Sequence, residues 1–447
     1  MASLLNDLHA ALEPARVLGP EASAAVRATV DYTGVRDRQP SVVIRPVSFD
    51  EVAIALRVIS AHDVPVSVLG GGHGPRNMFD GVACLDLRSI PVEVSSTSAT
   101  VTVNGSALAK DLLSVNPSMV VPVGVAFTPG MGLMTTGGIG GLTRSLGLTI
   151  DSLLSLEMLD GSGRPFTVDA CTDPELWWAV RGAAARFGVV VKATFALHAV
   201  AEVTETAMVV RATSLKEWAR QAALLPRDTS VSLAMVPATD GGAPLVLLDE
   251  VTIGPAPRGA AALMSAGNEN VTSRTATHPY RELSIFDVPR GPGHEPPELD
   301  DRRWQSISML VTAAGAEEVI DDLLLLLSDA PTPWSWIEVQ HIGGAMADVA
   351  DSETAFWGRA AEHSVVVTPV WPADADDDTF DSCQRWLQLA RELLAPVCVG
   401  VYAADIRPDV PGYHSLREVF GDNLDRLLNV ANRVDPHGRF RLAPPFV

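Results

Sequence analysis

Two glycine clusters, each joined to an apolar strand, constrain this sequence more than any other feature. The apolar stretch 64–69 runs directly into Gly70–Gly74 (GGGHG), and residues 120–147 contain eight glycines. Glycines allow close backbone approach and let successive N–H groups converge on an anion such as a phosphate. The spacing fits neither GxGxxG nor GxxxxGK[ST], so a Rossmann or Walker site is not expected. Two permissive loops roughly 60 residues apart suit one extended ligand lying along the backbone.

Composition restricts the partners and the compartment. The 447 residues are 47% hydrophobic and 19% charged, enough for two or three domains with buried cores. A net charge of −21 argues against nucleic acid and anionic membranes, which need a basic face. Four scattered cysteines have no metal-ligand spacing, so we expect no metal site and reduced thiols in a cytoplasmic protein. We find no signal-peptide pattern and no apolar run of 18 residues.

Local signals predict the order of the elements. Ser48 and Glu51 form a capping box that predicts a helix ending near His62. Residues 160–163 (DGSG) predict a hairpin turn, and Asp173 followed by Pro174 predicts a helix start. Later signals predict helices at 215–224 and 316–327, a helix opened by the acidic run 374–381, a last strand at 397–402 and a last helix at 416–434.

Four segments together carry a family resemblance: VIRPVSFDEVAIALRVISAHDVPVSVLGGGHG, DGVACLDL, PGMGLMTTGGIGGLTRSLGLTIDSLLSLEMLDG and DPELWWAVRGAAARFGVVV. They resemble the FAD-binding module of berberine-bridge-enzyme-like flavin oxidases, within the vanillyl-alcohol-oxidase/PCMH flavoprotein superfamily. LLNVANRVDPHGRFRL resembles the closing segment of that family. The resemblance covers residues of about 30–200 and 415–442, and the middle matches only loosely, around 340–345.

The resemblance implies an α+β fold, in which a PCMH-type two-subdomain FAD-binding fold is joined to a substrate domain with an antiparallel sheet covered by helices. We predict an FAD-binding domain at 1–200, with its PCMH-type module at about 37–200. A substrate-binding domain is predicted at 201–395, and residues 396–447 are predicted to return to the FAD domain.

The resemblance also implies the cofactor site. His73 would bond covalently to the flavin 8α-methyl group, and Gly70, Gly71, Gly72 and Gly74 would cradle the pyrophosphate. The other predicted FAD-binding residues lie in the second glycine-rich segment or at a strand start: Thr128, Gly130, Gly132, Gly137, Gly138, Gly141, Gly188 and Val190. Ala126 stands where many members carry a cysteine bonded to flavin C6, so no cysteinyl bond is expected.

The sequence departs from the family pattern at several positions. Methyl groups and Arg186 replace the glycines and asparagine of the family's RGGGGNFGVV run, and Ala443–Pro445 replaces its closing NQN. Asp151 matches a family Asp/Asn below the flavin ring, although a structural cap fits equally well. Tyr402 either matches the tyrosine of the family's YxN motif or is shifted to the other strand face, and the motif's asparagine has no counterpart.

Tyr402 and Glu338 are the predicted catalytic residues, with His341 a weaker candidate base. Glu338 and Gln340 alternate on one strand, and one face of that strand is predicted to line the substrate pocket. Five aromatic residues are predicted either to form an apolar wall or to pack in the core: Trp334, Trp336, Phe356, Trp357 and Trp371.

Three functions remain open from the sequence. The first is a bacterial FAD-dependent oxidase that transfers hydride from a small, hydrophobic secondary-metabolite intermediate to flavin N5, with O2 as acceptor, as a monomer or homodimer. The second is a flavin-containing monooxygenase or cyclase in which FAD has a non-standard or structural role. The third is a non-catalytic ligand carrier.

Overall fold

The computed structural model describes residues 2–22, 40–74, 80–238, 240–265, 267–283, 301–405 and 414–440. The Ala443–Pro445 run lies outside these residues. The helices, in chain order, are α1 (Ala2–Ala11), α2 (Phe49–Ala61), α3 (Ala109–Leu112), α4 (Met131–Met134), α5 (Thr143–Leu146), α6 (Pro174–Ala183), α7 (Lys216–Ala222), α8 (Ala260–Met264), α9 (Ala313–Ser328), α10 (Asp377–Leu394), α11 (Leu416–Phe420) and α12 (Leu424–Val434).

Caps explain where the longer helices begin. The Ser48 hydroxyl accepts the Glu51 N–H at 3.3 Å at the start of α2, and Asp173 accepts the Leu176 N–H at 3.0 Å at the start of α6. Asp376, within the acidic run, accepts the Thr379 N–H at 2.9 Å and begins α10. These hydrogen bonds satisfy N–H groups that have no partner inside the helix.

The first subdomain is a small, mostly parallel sheet. Its strands are β1 (Val17–Leu18), β2 (Val42–Ile44), β3 (Val66–Leu69) and β4 (Ala83–Asp86), in the order β1-β2-β4-β3. Strands β2, β3 and β4 are parallel, and α1 and α2 pack on their apolar side chains. The glycine cluster follows β3 and therefore lies at the carboxyl edge of this sheet, where ligands of parallel sheets bind.

The second subdomain is an antiparallel sheet. Its strands are β5 (Val94–Ser96), β6 (Thr100–Asn104), β8 (Leu153–Leu159), β9 (Pro165–Val168) and β10 (Val189–Ala196), in the order β5-β6-β10-β8-β9. Strands β8 and β9 form the predicted hairpin. A separate two-stranded pair joins β7 (Met119–Val120) to β11 (His198–Ala199).

The third part is an eight-stranded antiparallel sheet. Its strands are β12 (Val203–Arg211), β13 (Thr229–Val236), β14 (Leu245–Ile253), β15 (Glu269–His278), β17 (Ile307–Val311), β18 (Trp336–His341), β19 (His363–Thr368) and β21 (Cys398–Val401), in the order β15-β12-β14-β13-β18-β19-β17-β21. Helices α7, α9 and α10 cover one face with apolar side chains, and the other face looks toward the FAD-binding part. A short pair, β16 (Arg302–Trp304) and β20 (Val370–Pro372), lies beside it.

The end of the chain returns to the first two subdomains. Phe440 bridges to Val66 at the edge of β3, and Arg433 pairs with Asp173 at 2.7 Å. The single helix predicted at 416–434 is wrong, because the backbone breaks between α11 and α12 at Gly421, where φ is +50°. A side chain there would enter the Trp357 ring.

The predicted α+β fold class is confirmed: two subdomains are joined to an antiparallel sheet that helices cover on one face. The domain limits stay a prediction. The strand β21 pairs with β17, so the eight-stranded sheet continues past the predicted limit at residue 395.

Within the ranges that the structure describes, no helix is both long and apolar enough to cross a membrane, and no group of three ligating side chains suits a metal ion.

Candidate functional site

One large cavity connects the glycine loops with the open face of the eight-stranded sheet. At one end it is lined by the 70–74 loop, the start of β10 and Phe440. At the other end it is lined by β18, β19 and residues 402–405. Its empty volume, including the open space at its mouth, is about 1750 Å³.

The two glycine loops touch each other, and this contact requires glycine at position 71. A Cβ there would stand 2.6 Å from the Thr128 carbonyl oxygen and 2.6 Å from the Gly130 nitrogen. At Gly132, by contrast, no atom lies within 4 Å of a Cβ, and the cavity occupies that space. Gly71 therefore joins the loops, and Gly132 leaves room for a ligand between them.

The glycine end of the cavity suits an anion held by the backbone. Across the described part of the chain, no lysine or arginine lines the cavity. A phosphate at this end would therefore be bound by backbone N–H groups of the glycine loops, as in other glycine-rich anion sites. The residues present fit the pyrophosphate of FAD.

His73 lies at the cavity wall between the two loops. Its Nε2 atom and the Thr128 hydroxyl are 2.9 Å apart, and this hydrogen bond orients the ring. Burial by the surrounding protein lowers the pKa of His73, although one side of the ring is exposed to the cavity. The imidazole is therefore neutral near pH 7, which is its nucleophilic form.

The opposite wall is a row of side chains across four strands of the sheet. Glu338 on β18 pairs with Val366 on β19, and Val366 pairs with Ser308 on β17. The Tyr402 N–H donates to the Ser308 carbonyl at 3.0 Å and completes the row. With a strand spacing of about 4.8 Å, the row places the backbones of Glu338 and Tyr402 roughly 14 Å apart, at the two ends of one wall.

Glu338 is the group on this wall whose proton affinity is changed most. Burial raises the pKa of Glu338 to about 7, the Gln340 amide opposes the shift by donating to it at 2.8 Å, and Asp405 adds a smaller rise. Its side chain is 9% exposed and lines the cavity. A carboxyl with this pKa can both accept and release a proton at neutral pH.

Tyr402 directly follows β21 and faces the cavity. Its neighbours Val401 and Ala403 pack in the core on the other side of the chain, so the unshifted alignment with the tyrosine motif is favoured. The phenol oxygen accepts the Gly138 N–H at 2.8 Å. A donor of this kind favours a negatively charged oxygen over a neutral one.

Some predicted cofactor residues lie behind the cavity wall. Gly137 packs against the Tyr402 ring, and a side chain at Gly138, where φ is +82°, would clash with Thr149. Gly141 borders a smaller neighbouring cavity. The lining residues among the predicted set are Gly70, Gly71, Gly72, His73, Gly74, Gly130, Gly132, Gly188 and Val190.

His341, Phe356 and Trp371 belong to the protein interior, whereas Trp334, Trp336 and Trp357 are partly exposed. His341 contacts Glu362 at 3.0 Å, accepts the Val231 N–H at 3.2 Å and does not line the large cavity. Of the five aromatic residues, Trp336 alone lines the cavity, while Trp371 packs on Phe380. The sequence reading missed Trp304, Ser306, Ser308 and Asp405, which also line the cavity.

Arg186, which departs from the family pattern, and Asp151, which matches it, both have structural partners. Arg186 donates to Asp435 and to the Phe440 carbonyl, both at 2.8 Å, and so ties the closing segment to the second subdomain. Asp151 accepts two hydrogen bonds from Arg359, at 2.8 and 3.0 Å, and one from the Leu148 N–H at 2.9 Å. Of the two interpretations of Asp151, these contacts favour the structural one.

Comparison with known proteins extends these observations. A family model for an FAD binding domain matches residues 40–169. An FAD-linked oxidoreductase from Dictyostelium discoideum is 25% identical over 419 residues, which are 90% of this chain and 87% of that protein. (R)-6-hydroxynicotine oxidase from Paenarthrobacter nicotinovorans is 31% identical over 180 residues, 37% of this chain and 38% of that protein. The solved structure of BBE-like protein 28 from Arabidopsis thaliana has a TM-score of 0.81 at 20% identity, covering 99% of this chain and 100% of that one.

Proposed function

We propose that this chain, an FAD-dependent oxidoreductase of the berberine-bridge-enzyme-like group, is an oxidase of small, hydrophobic metabolites that uses O2 as electron acceptor. The observation that supports this best is the single cavity joining the glycine loops and His73 to the buried Glu338. Bound FAD supplies the hydride acceptor, flavin N5, in this chemistry. The similarity to (R)-6-hydroxynicotine oxidase supports an oxidase over other flavoenzymes.

We assign cofactor retention to the glycine loops and His73. Gly70, Gly72 and Gly74 bring backbone N–H groups to the pyrophosphate, and Gly132 leaves space for it. Thr128 orients the His73 ring toward the cavity for a bond to the flavin 8α-methyl carbon. The neutral imidazole of His73 would be the nucleophile for this attachment, and a bond to it would prevent loss of the cofactor. Ala126 lines the cavity with a methyl group, so a cysteinyl bond does not form there.

We assign the proton transfer to Glu338. Its carboxylate takes a proton from an O–H or N–H group of the substrate while a neighbouring C–H loses hydride, and its pKa of about 7 suits this task at neutral pH. Tyr402, with its oxygen held by the Gly138 N–H, is the alternative group for this proton transfer.

The substrate is bound against the sheet. Trp304 and Trp336 supply half-buried aromatic surface, and Ser306 and Thr368 supply hydroxyl groups that hydrogen-bond each other at 2.8 Å. This combination suits an apolar molecule with few polar groups, because aromatic faces bury large apolar areas and the hydroxyls fix its orientation.

The test is an anaerobic reduction screen on the purified holoenzyme with small alcohols and amines of secondary metabolism. Bleaching of the flavin absorbance, reversed by air with formation of H2O2, is the expected result. Flavin that stays attached to a His73 peptide after acid precipitation supports the covalent bond, and the His73→Ala variant should bind FAD only reversibly. Bound flavin that no substrate reduces would favour the structural-cofactor alternative, and protein that never binds FAD would overturn the proposal.

A further inference from the structure

A second, small cavity lies beside the large one and shares part of its lining. Gln340 and Val125 border both cavities. The small one is also lined by four polar side chains, Asp249, Ser230, Ser232 and His341, and by Gly140, Gly141, Val251 and Leu283. About 20 Å³ is open there to the centre of a water molecule. One buried water needs roughly 10–15 Å³ and two or more polar partners.

Asp249 is the unusual member of this cavity. It is 7% exposed, and its Oδ1 atom has no hydrogen-bond partner among the described residues. It pairs across the sheet with Ser232, so both side chains lie on the face that carries Glu338 and Gln340. A buried carboxyl oxygen without a hydrogen-bond partner is costly, so a partner in the cavity is favoured.

The surroundings of Asp249 favour its neutral form. Burial raises the pKa of Asp249 well above its usual range, and Glu205 on β12 and Glu338 on β18 add to the rise. Glu250, on the opposite face of the same strand, also raises it, and Arg274 on β15 opposes them. Glu205 is itself near Arg274 and His278. A neutral carboxyl carries one O–H donor, which a carboxylate lacks.

The Gln340 side-chain carbonyl is an acceptor for the O–H group of a neutral Asp249. The Gln340 amide nitrogen donates to Glu338 at 2.8 Å on the large-cavity side. An amide has its two donors on one end and its acceptor on the other, so the carbonyl end is available to the small cavity. A donor in the small cavity therefore satisfies the Gln340 carbonyl oxygen while the NH2 group stays on Glu338.

We propose that Asp249 is a positioning residue for Glu338: through one water molecule in the small cavity, its carboxylic acid donates to the Gln340 carbonyl and holds the Gln340 NH2 group on Glu338. The role assigned to Asp249 rests on the proposed function of Glu338 as base. The contact itself exists with or without turnover, so it can be tested separately.

The test measures the titration of Glu338 by infrared absorption of its carboxylic acid C=O band in the holoenzyme. The difference from Glu338→Gln assigns the band. Asp249→Leu should raise the titration midpoint by about one pH unit, because the carboxylate loses a hydrogen-bond donor. Gln340→Leu should do the same, and the double variant should add no further shift. Asp249→Asn keeps a donor and should retain the wild-type midpoint.

The controls separate positioning from damage to the sheet. Glu250→Gln changes the neighbouring carboxyl on the opposite face of β14 and should leave the midpoint unchanged. If Asp249→Leu does not fold, Asp249→Ala removes the same donor. A wild-type midpoint in the Leu or Ala variant, with a shifted one in Gln340→Leu, would overturn the proposal. A holoenzyme whose flavin no substrate reduces would overturn the oxidase assignment, while the infrared midpoints would still decide the role of Asp249.

Discussion

At the scale of single residues, the proposed chemistry depends on the carboxyl group of Glu338, whose pKa is set by its surroundings. A glutamate in water would be ionised throughout the neutral range, and burial brings the pKa of Glu338 to about 7. Gln340 limits this rise, and Asp405 adds to it. Because these groups come from β18 and the 402–405 turn, the wall of the cavity determines when the base is active.

Glu338 should give the reaction its pH dependence. As the base, it acts when deprotonated, so the rate constant for anaerobic flavin reduction should rise with pH and level off above about 7. Glu338→Gln should lower the rate constant reached above pH 7 about 10²–10⁴-fold, and this rate constant should no longer rise with pH around 7. Stopped-flow absorbance at several pH values measures both, with Glu318→Gln, an exposed carboxyl on α9, as control. If the rate constant of the Glu338→Gln variant still rises with pH around 7, another group causes this pH dependence.

Tyr402→Phe tests the alternative proton-transfer group. We expect normal flavin content, a reduction rate constant about 10²-fold lower and an unchanged rise of this rate constant with pH around 7, because Glu338 is still present. Stability should also fall by about 1–3 kcal/mol, since the Gly138 N–H loses its buried acceptor. Tyr280→Phe is the matched control, because the buried Tyr280 hydroxyl makes a 3.4 Å contact with the Val123 carbonyl away from the large cavity. Equal reduction rates in the two variants would leave Tyr402 a packing role only.

Some residues that line the cavities could be predicted from the sequence, and others could not. Glu338 and Gln340 could be recognised because two polar residues alternate in one apolar strand. Asp405 and Trp304 reach the same wall from other parts of the chain, and pairing between distant strands cannot be read from one sequence. Asp249 did leave a signal, as an acid within the apolar strand LVLLDEVTI, but its partner across the sheet was not predictable.

At the scale of elements, some glycines of the two loops allow close packing against other protein atoms, and others leave open space in the cavity. The sequence does not show which glycine does which. Gly71 and Gly138 are required by neighbouring protein atoms, whereas Gly132 borders open space. Glycine density predicted two permissive loops, and both border the large cavity. Which glycine touches another loop and which touches a ligand depends on packing between residues far apart in the chain.

This difference predicts distinct outcomes for two substitutions. Gly132→Val fills cavity space without meeting protein atoms, so the variant should fold normally and lose FAD. Gly71→Val should disturb the fold as well, because its Cβ meets the 128–130 backbone. Flavin absorbance per protein and far-UV circular dichroism measure the two effects. Gly19→Val, where the nearest atom is a side-chain carbon at 3.8 Å, is the control. Normal flavin content in Gly132→Val would remove this loop from the cofactor site.

At the scale of the whole molecule, buried ion pairs join the substrate sheet to the FAD-binding part. Arg144 on α5 pairs with Glu362 before β19 and also donates to the Thr229 and Leu225 carbonyls at 3.0 Å. Arg359, 2% exposed, forms the bidentate pair with Asp151. The resemblance to a known family predicted the two-part architecture, but these pairs join residues 208 and 218 positions apart, and no local pattern signals them.

Arg359→Met tests whether such a pair fixes the substrate sheet over the cofactor site. Removing one partner of a buried pair leaves the other charge uncompensated, at a cost of about 3–5 kcal/mol. Asp151 keeps some contact with solvent, so we expect the lower end of this range and a reduced melting temperature. The double variant Asp151→Asn, Arg359→Met removes both charges and should regain part of the lost stability.

The control is Arg227→Met, which breaks the exposed pair with Asp348 and should have little effect, because surface ion pairs contribute little to stability. Thermal unfolding of the holoenzymes measures all three. If the double variant is no more stable than Arg359→Met, the arginine acts through its contacts with Thr354 and Met346 rather than through the charge of Asp151.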